Sequence, residues 1–205
     1  RQAMVRSQED HGDEESCIVG RFGRPLAGAA VRERIPLMMP SLPTADDLLP
    51  YLRRIDANRW YSNFGPLVSE FEARIAASFA GAGDCKVVSV SSCTAGIELA
   101  LRALSLPAGA PILVPALTFI ATASAVRCAG LSPVVADVDP RSWLLTPEIA
   151  RAAVRTIGAR AVIPVTTFGA EQDGAAWSAF ARDTGVPVII DAAAGYGNQR
   201  DPGPT

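Results

Sequence analysis

Five short apolar runs punctuate the second half of the chain: KVVSV (86–90), PILVP (111–115), SPVVADVD (132–139), RAVIPV (160–165) and VPVIID (186–191). They are rich in β-branched residues, and between them lie TAGIELALRAL, IATASAVRCAG, PEIARAAVRTIG and GAAWSAFARDTG, whose apolar residues recur at helical spacing. Starts of the runs recur at intervals of roughly 20–30 residues, the length of a βαβ unit, and no shared motif repeats with them. Runs that are continuously apolar rather than alternating predict strands buried on both faces. The expected fold class is therefore α/β: three layers, a largely parallel sheet flanked by helices, with ligands at the C-terminal strand ends.

Upstream, the pattern changes. IPLMMPSLP (35–43) reads as an extended arm, because each proline disfavours helix in the residue before it. Thr44 is placed to cap a helix through ADDLLPYLRRI, with acids in the first turn and Pro50 as a potential kink. NRWYSNFGPL (58–67) reads as a loop, and VSEFEARIAASFA (68–80) sets Val68, Phe71, Ile75 and Phe79 on one helical face. Residues 1–34 mix charges with Gly and Pro and lack the order of a secretory signal, so they are expected to be a disordered leader. The remaining 35–205 form a single partial domain, with the arm and first helices over 35–82 and the βα repeats over 86–199.

Composition narrows the function classes. The chain has 205 residues, 49% of them hydrophobic and 20% charged, as in a globular protein. No apolar run approaches the ~18–20 residues that span a bilayer, so no membrane partner is expected. A net charge of −2 gives no basic surface for nucleic acid. Cys17, Cys85, Cys93 and Cys128 are scattered, which suggests neither a zinc site nor a disulfide framework and fits a reducing, cytoplasmic setting. The only histidine is His11, in the leader, so mechanisms that need a histidine base are excluded from the folded part. The only lysine is Lys86.

Candidate chemistry follows from the residues after each strand. Ser91-Ser92-Cys93-Thr94-Ala95-Gly96 opens into a helix, and its free N–H groups and hydroxyls suit a phosphate; simple capping by Ser92 or Thr94 is the alternative. Cys93 could gain a lowered pKa at the helix start, but without a histidine partner the favoured reading is a small buried packing residue. Phe119 follows PILVP and could stack on a planar ring, although a place in the core is the commoner use of a phenylalanine. Asp137 and Asp139 are read as turn and capping residues, and Thr166-Thr167-Phe168-Gly169 as a second small mouth. Asp191 ends the last strand, with Ala192, Ala193, Ala194 and Gly195 keeping space beside it. A carboxylate there could hold a protonated ring nitrogen, as in a pyridoxal phosphate enzyme, or could be a solvated turn residue.

VSSCTAGIELALRAL, ILVPALTFIATASAV, PVVADVDPRSWLLTPE, AVIPVTTFGAEQD and VIIDAAAGYGNQ, in this order, resemble the DegT-DnrJ-StrS family of sugar aminotransferases, which are fold type I pyridoxal phosphate (PLP) enzymes. IPLMMPSLP and WYSNFGPLVSEFEARIA resemble the arm and first helices of that family, so the likeness runs from Ile35 to Gln199. It implies that Ser92, Cys93 and Thr94 hold the cofactor phosphate, that Phe119 stacks on the pyridine ring and that Asp191 pairs with its nitrogen. It also implies substrates in the form of a nucleotide sugar and an amino donor, and a homodimer whose site includes the WYSNFGPL loop.

The chain departs from the family pattern at several positions. Ser92-Cys93 stands where members often carry Asn-Gly. Ala194 stands at a cofactor-contacting glutamine and cannot make that side-chain hydrogen bond, and Tyr196 replaces a histidine. The family's Schiff-base lysine lies beyond the aspartate, whereas Lys86 precedes the first strand, at the opposite edge from the expected site. The resemblance therefore implies the N-terminal half of an incomplete large domain, inactive by itself. Two other readings stand beside it: a lysine-lacking sugar dehydratase of the same fold, and a non-catalytic half-domain that binds a phosphate compound or a partner.

Overall fold

A computed structural model describes residues 40–79, 85–200 and 203. The leader expected over 1–34 and most of the arm lie outside the described residues. The chain divides into two units, Arg1–Asp47 and Leu48–Thr205. In the first, Thr44 makes the expected cap. Its hydroxyl accepts from the Asp47 N–H at 3.3 Å while the Asp47 carboxylate accepts the Thr44 N–H at 2.9 Å.

Helix α1 (Ala45–Asn58) runs through Pro50 without a break, so the expected kink does not interrupt it. Helix α2 (Pro66–Ser78) starts two residues earlier than its apolar pattern, because Pro66 occupies the first turn, where a missing N–H costs nothing. Neither helix contains a buried residue. The expected face of α2 is not covered, and Phe71 remains 55% exposed.

The sheet forms in the second unit. Strand β1 (Pro111–Pro115) pairs in parallel with β2 (Ser132–Ala136) on one side and with β3 (Ala161–Val162) on the other, giving the order β2-β1-β3. Beyond β3, the run 186–191 adds only two parallel bridges, Val162↔Val188 and Val165↔Asp191. Helices α3 (Cys93–Ala103), α4 (Ile120–Cys128), α5 (Pro147–Ile157) and α6 (Gly174–Thr184) fall where the spacing predicts them. Each of α5 and α6 ends on a left-handed glycine, Gly158 and Gly185, whose N–H returns to a carbonyl of the last turn.

Side chains alternate across β1 and generate two cores. Ile112 and Val114 join Ile97, Leu101, Ala125 and Val126 from α3 and α4. On the other face, Leu113 joins Leu145, Ala150, Trp177 and Phe180, which α5, α6 and the segment before α5 supply. The three layers are thus helix, sheet, helix, as the apolar runs predict.

Three strand expectations fail, the first being the run 186–191, which makes isolated bridges but no strand. The segment 85–90 forms no regular element and belongs to no ladder, and Val88 is 76% exposed. β propensity supplies no hydrogen-bond partner, and a strand exists only where a neighbour accepts its N–H groups. Burial on both faces holds for β1 but not for β2, where Val135 is 61% exposed, because β2 is an edge strand. No helix among the described residues is long and apolar enough to cross a membrane.

Candidate functional site

The sheet's C-terminal edge gathers side chains from four segments. The carbonyl and N–H of Asp191 are tied to the end of the neighbouring strand run, where Thr166 N–H donates to the Asp191 carbonyl at 3.0 Å and Asp191 N–H donates to the Pro164 carbonyl at 2.9 Å. This pairing turns the carboxyl group into the edge and buries it to 6% exposure. A buried carboxylate is costly unless donors surround it. Thr122 Oγ1 donates to Oδ2 at 2.7 Å, and Ala193 N–H donates to Oδ1 at 3.2 Å. Cys93 Sγ lies 3.5 Å from Oδ1 as a third donor. Asp191 is therefore not the solvated turn residue of the alternative reading.

A cavity of about 370 Å³ opens beside this carboxylate. Three segments line it: 117–119 after β1, 165–168, and Asp191 with Ala193 and Ala194. Phe119 caps the start of α4 and is 80% exposed, which rules out the core role. The turn that carries Ala193 and Ala194 approaches Thr166 closely. A Cβ at Gly195 would stand 2.8 Å from Thr166 Oγ1, so only glycine permits the approach. Thr167 Oγ1 is buried without a hydrogen-bond partner.

At the start of α3, Ser92 accepts the Ala95 N–H on its side chain at 3.2 Å and the Gly96 N–H on its carbonyl at 3.0 Å. The first-turn N–H groups of Cys93 and Thr94 have no acceptor within the helix. Capping and an open donor pair thus coexist at the same turn. Cys93 departs from the favoured packing reading: the residue is exposed, with its sulfur only partly covered where it meets Asp191. A helix N-terminus lowers a thiol pKa, but this partial burial of the sulfur, followed by the adjacent Asp191 charge, pushes Cys93 up to about 11.

The structure brings Cys93, Phe119, Asp191 and Ala194 together around one edge, with Ser92 and Thr94 flanking Cys93. Asp137 and Asp139 act as expected in the turn after β2, where the Asp139 carboxylate accepts Ser142 N–H at 2.8 Å. Lys86 is exposed in the irregular segment 85–90 and does not line the cavity. Sequence reading missed Thr122. Its available signal was a threonine four residues after Thr118 at a helix start on the ligand edge. A larger hollow of about 550 Å³ lies along α1 and α2 between Leu52 and Val68, but it lacks a buried polar group and has no comparable cluster of donors.

The profile of the DegT/DnrJ/EryC1/StrS aminotransferase family matches residues 44–202. The chain is 38% identical over 133 residues to a UDP-2-acetamido-2-deoxy-3-oxo-D-glucuronate aminotransferase of Pseudomonas aeruginosa, a match covering 65% of this chain and 36% of that protein. It is 33% identical over 160 residues to a 3-amino-5-hydroxybenzoate synthase of Amycolatopsis mediterranei, covering 77% and 40% respectively. Among solved structures, NtdA of Bacillus subtilis with bound cofactor PMP superposes with a TM-score of 0.66 at 28% identity, covering 80% of this chain and 38% of that one. The chain thus spans well under half the length of the curated relatives it matches. With the matched region running from the cap of α1 past Asp191, the chain belongs to the DegT/DnrJ/EryC1/StrS aminotransferase family.

Proposed function

We propose that this chain supplies the ring-binding half of a PLP site in an aminotransferase that acts on nucleotide-linked sugars. The observation that carries this reading is the buried Asp191 carboxylate, saturated with donors on Oδ1 and opening on a cavity walled by an exposed phenylalanine ring. The residues fit the cofactor. An ionised carboxylate offers about four acceptor positions, and three are taken, which leaves one for a ring N–H. Phe119 presents an open face to an aromatic ring, and the free N–H pair at the start of α3 suits a phosphate. Bound there, PLP would supply an electron sink for proton removal at a substrate carbon.

Each residue has a defined part. Asp191 would accept the ring N–H, which favours a protonated nitrogen. Phe119, Ala193 and Ala194 would hold the ring by their apolar surface and keep water away from it. Ala194 adds shape but no hydrogen bond. Lys86 does not line the cavity and has no part in this site. Two copies of the chain pairing about Trp60, Tyr61 and Phe64 belong to the same reading, supported by the exposure of these three rings at 48%, 70% and 83%.

The chain alone is expected to bind the cofactor ring without transaminating. Titration with pyridoxamine phosphate, which cannot form an imine with lysine, should give saturable binding that Asp191→Asn abolishes. Equal binding by both proteins, or by neither, would remove the support for this reading. Borohydride reduction with PLP should leave Lys86 without a stoichiometric adduct.

A further inference from the structure

A threonine inside a helix ordinarily turns its hydroxyl back to the carbonyl four residues earlier. Two threonines of this chain do so: Thr156 donates to Ala152 at 3.0 Å, and Thr184 donates to Phe180 at 2.7 Å. Thr122, in the first turn of α4, does not. It is 1% exposed, and its single hydroxyl proton goes to Oδ2 of Asp191 at 2.7 Å, across 69 residues of sequence. That assignment also orders the neighbouring contact. Thr118 Oγ1 lies 2.7 Å from Thr122 Oγ1. Because an ionised carboxylate can only accept, Thr122 must donate to it, and Thr122 Oγ1 is left as an acceptor. The single Thr118 proton has two acceptors in reach, the Phe119 carbonyl at 3.2 Å and Thr122 Oγ1 at 2.7 Å, and the shorter contact links the two hydroxyls to the carboxylate.

We propose that Thr122, itself oriented by Thr118, is the positioning residue that fixes the plane of the Asp191 carboxylate, holding Oδ2 while Cys93 and Ala193 hold Oδ1. The part of the inference that concerns the ring nitrogen rests on the function proposed above; the hold on the carboxylate stands on the geometry alone. The donor arrangement has a consequence. Oδ1 already accepts from two groups, so the remaining acceptor position lies on Oδ2, the oxygen that Thr122 orients. Without Thr122 the carboxylate keeps Cys93 as its only side-chain donor, and its charge bears more strongly on that thiol.

Cys93 therefore reports on the arrangement without any cofactor. In the full 205-residue chain, alkylation of Cys93 near its ordinary thiol range, about pH 9, is followed by mass spectrometry of the peptide that contains it. Asp191→Asn should speed the modification about tenfold or more, because it removes the charge that opposes thiolate formation. Thr122→Val, which keeps the side chain's shape, should slow it about threefold, Thr118→Val should slow it less, and Thr122→Ser should restore the wild-type rate. In parallel, Thr122→Val should weaken pyridoxamine phosphate binding about tenfold, as expected for a lost charge-assisted hydrogen bond, again with recovery in Thr122→Ser.

An alkylation rate in Thr122→Val equal to or faster than wild type would overturn the proposal, as would failure of Thr122→Ser to recover. If the wild-type chain does not bind pyridoxamine phosphate at all, the proposed function falls. The alkylation series still decides whether Thr122 holds Asp191.

Discussion

The β1 sandwich and the α2 region with segment 85–90 carry similar apolar patterns and meet opposite fates. In the sandwich, Ile112, Leu113 and Val114 are 0%, 0% and 1% exposed, with α3 and α4 on one face and α5 and α6 on the other. In the other region, Phe71, Val88 and Val90 are 55%, 76% and 43% exposed, and the main polar tether is the Ser89 N–H donating to Glu72 at 2.8 Å. Apolar periodicity states which face a segment offers. Stability comes only where a second element takes that face, since the hydrophobic effect scales with area removed from water.

The largest test of this contrast is Trp177→Ala. Trp177 is fully buried against Phe180, with ring centroids 5.3 Å apart, and its indole N–H donates to Gln172 at 2.8 Å. Loss of about 3–5 kcal/mol is expected in denaturant unfolding, enough to erase a cooperative transition in a marginal domain. Leu113→Ala should cost about 2–5 kcal/mol by the same measurement. Phe71→Ala, an aromatic truncation in the other region, should stay within about 0.5 kcal/mol of wild type. A cost for Phe71→Ala near that of Leu113→Ala would break the comparison.

Cys93 sits at the seam, three residues after Val90 and in contact with Asp191 of the sheet edge. Its thiol pKa is raised in the folded chain, so the protonated thiol favours the fold. That contribution is complete below about pH 9, the ordinary thiol value, and is lost as pH rises through about 11. Denaturation midpoints measured across this window should fall, and Cys93→Ser should flatten the fall. The smallest effects separate two exposed ion pairs. Arg151 pairs with Asp183 at 2.8 Å and also lies over the Phe180 ring at 5.5 Å, so Arg151→Ala should cost about 0.5–1 kcal/mol. Arg54 pairs only with Glu70, both well exposed, and Arg54→Ala should leave the unfolding midpoint nearly unchanged.

The candidate site was legible where it depended on strand ends. Asp191 and Phe119 each follow an apolar run that pairs in parallel, and a parallel sheet brings such positions to one edge whatever the loop sequences are; the α3 start follows an unpaired run and reaches that edge through the Cys93 contact to Asp191. Thr122 was not legible, because its partner lies 69 residues away and its own neighbourhood reads as an ordinary small-residue helix. Cys93 was misread for the same reason: its neighbourhood reads as buried packing, and only the folded chain leaves it exposed with a carboxylate beside the sulfur.

From sequence alone came the α/β class, four of the helices around the sheet, the strand PILVP, a strand within SPVVADVD, and the family likeness, all of which rest on short-range periodicity and local motifs. Tertiary structure decided which runs became paired strands, which apolar faces were buried, and which donors surround Asp191. Those outcomes depend on partners distant in sequence, and a hydrogen bond or a buried face exists only when both sides are in place.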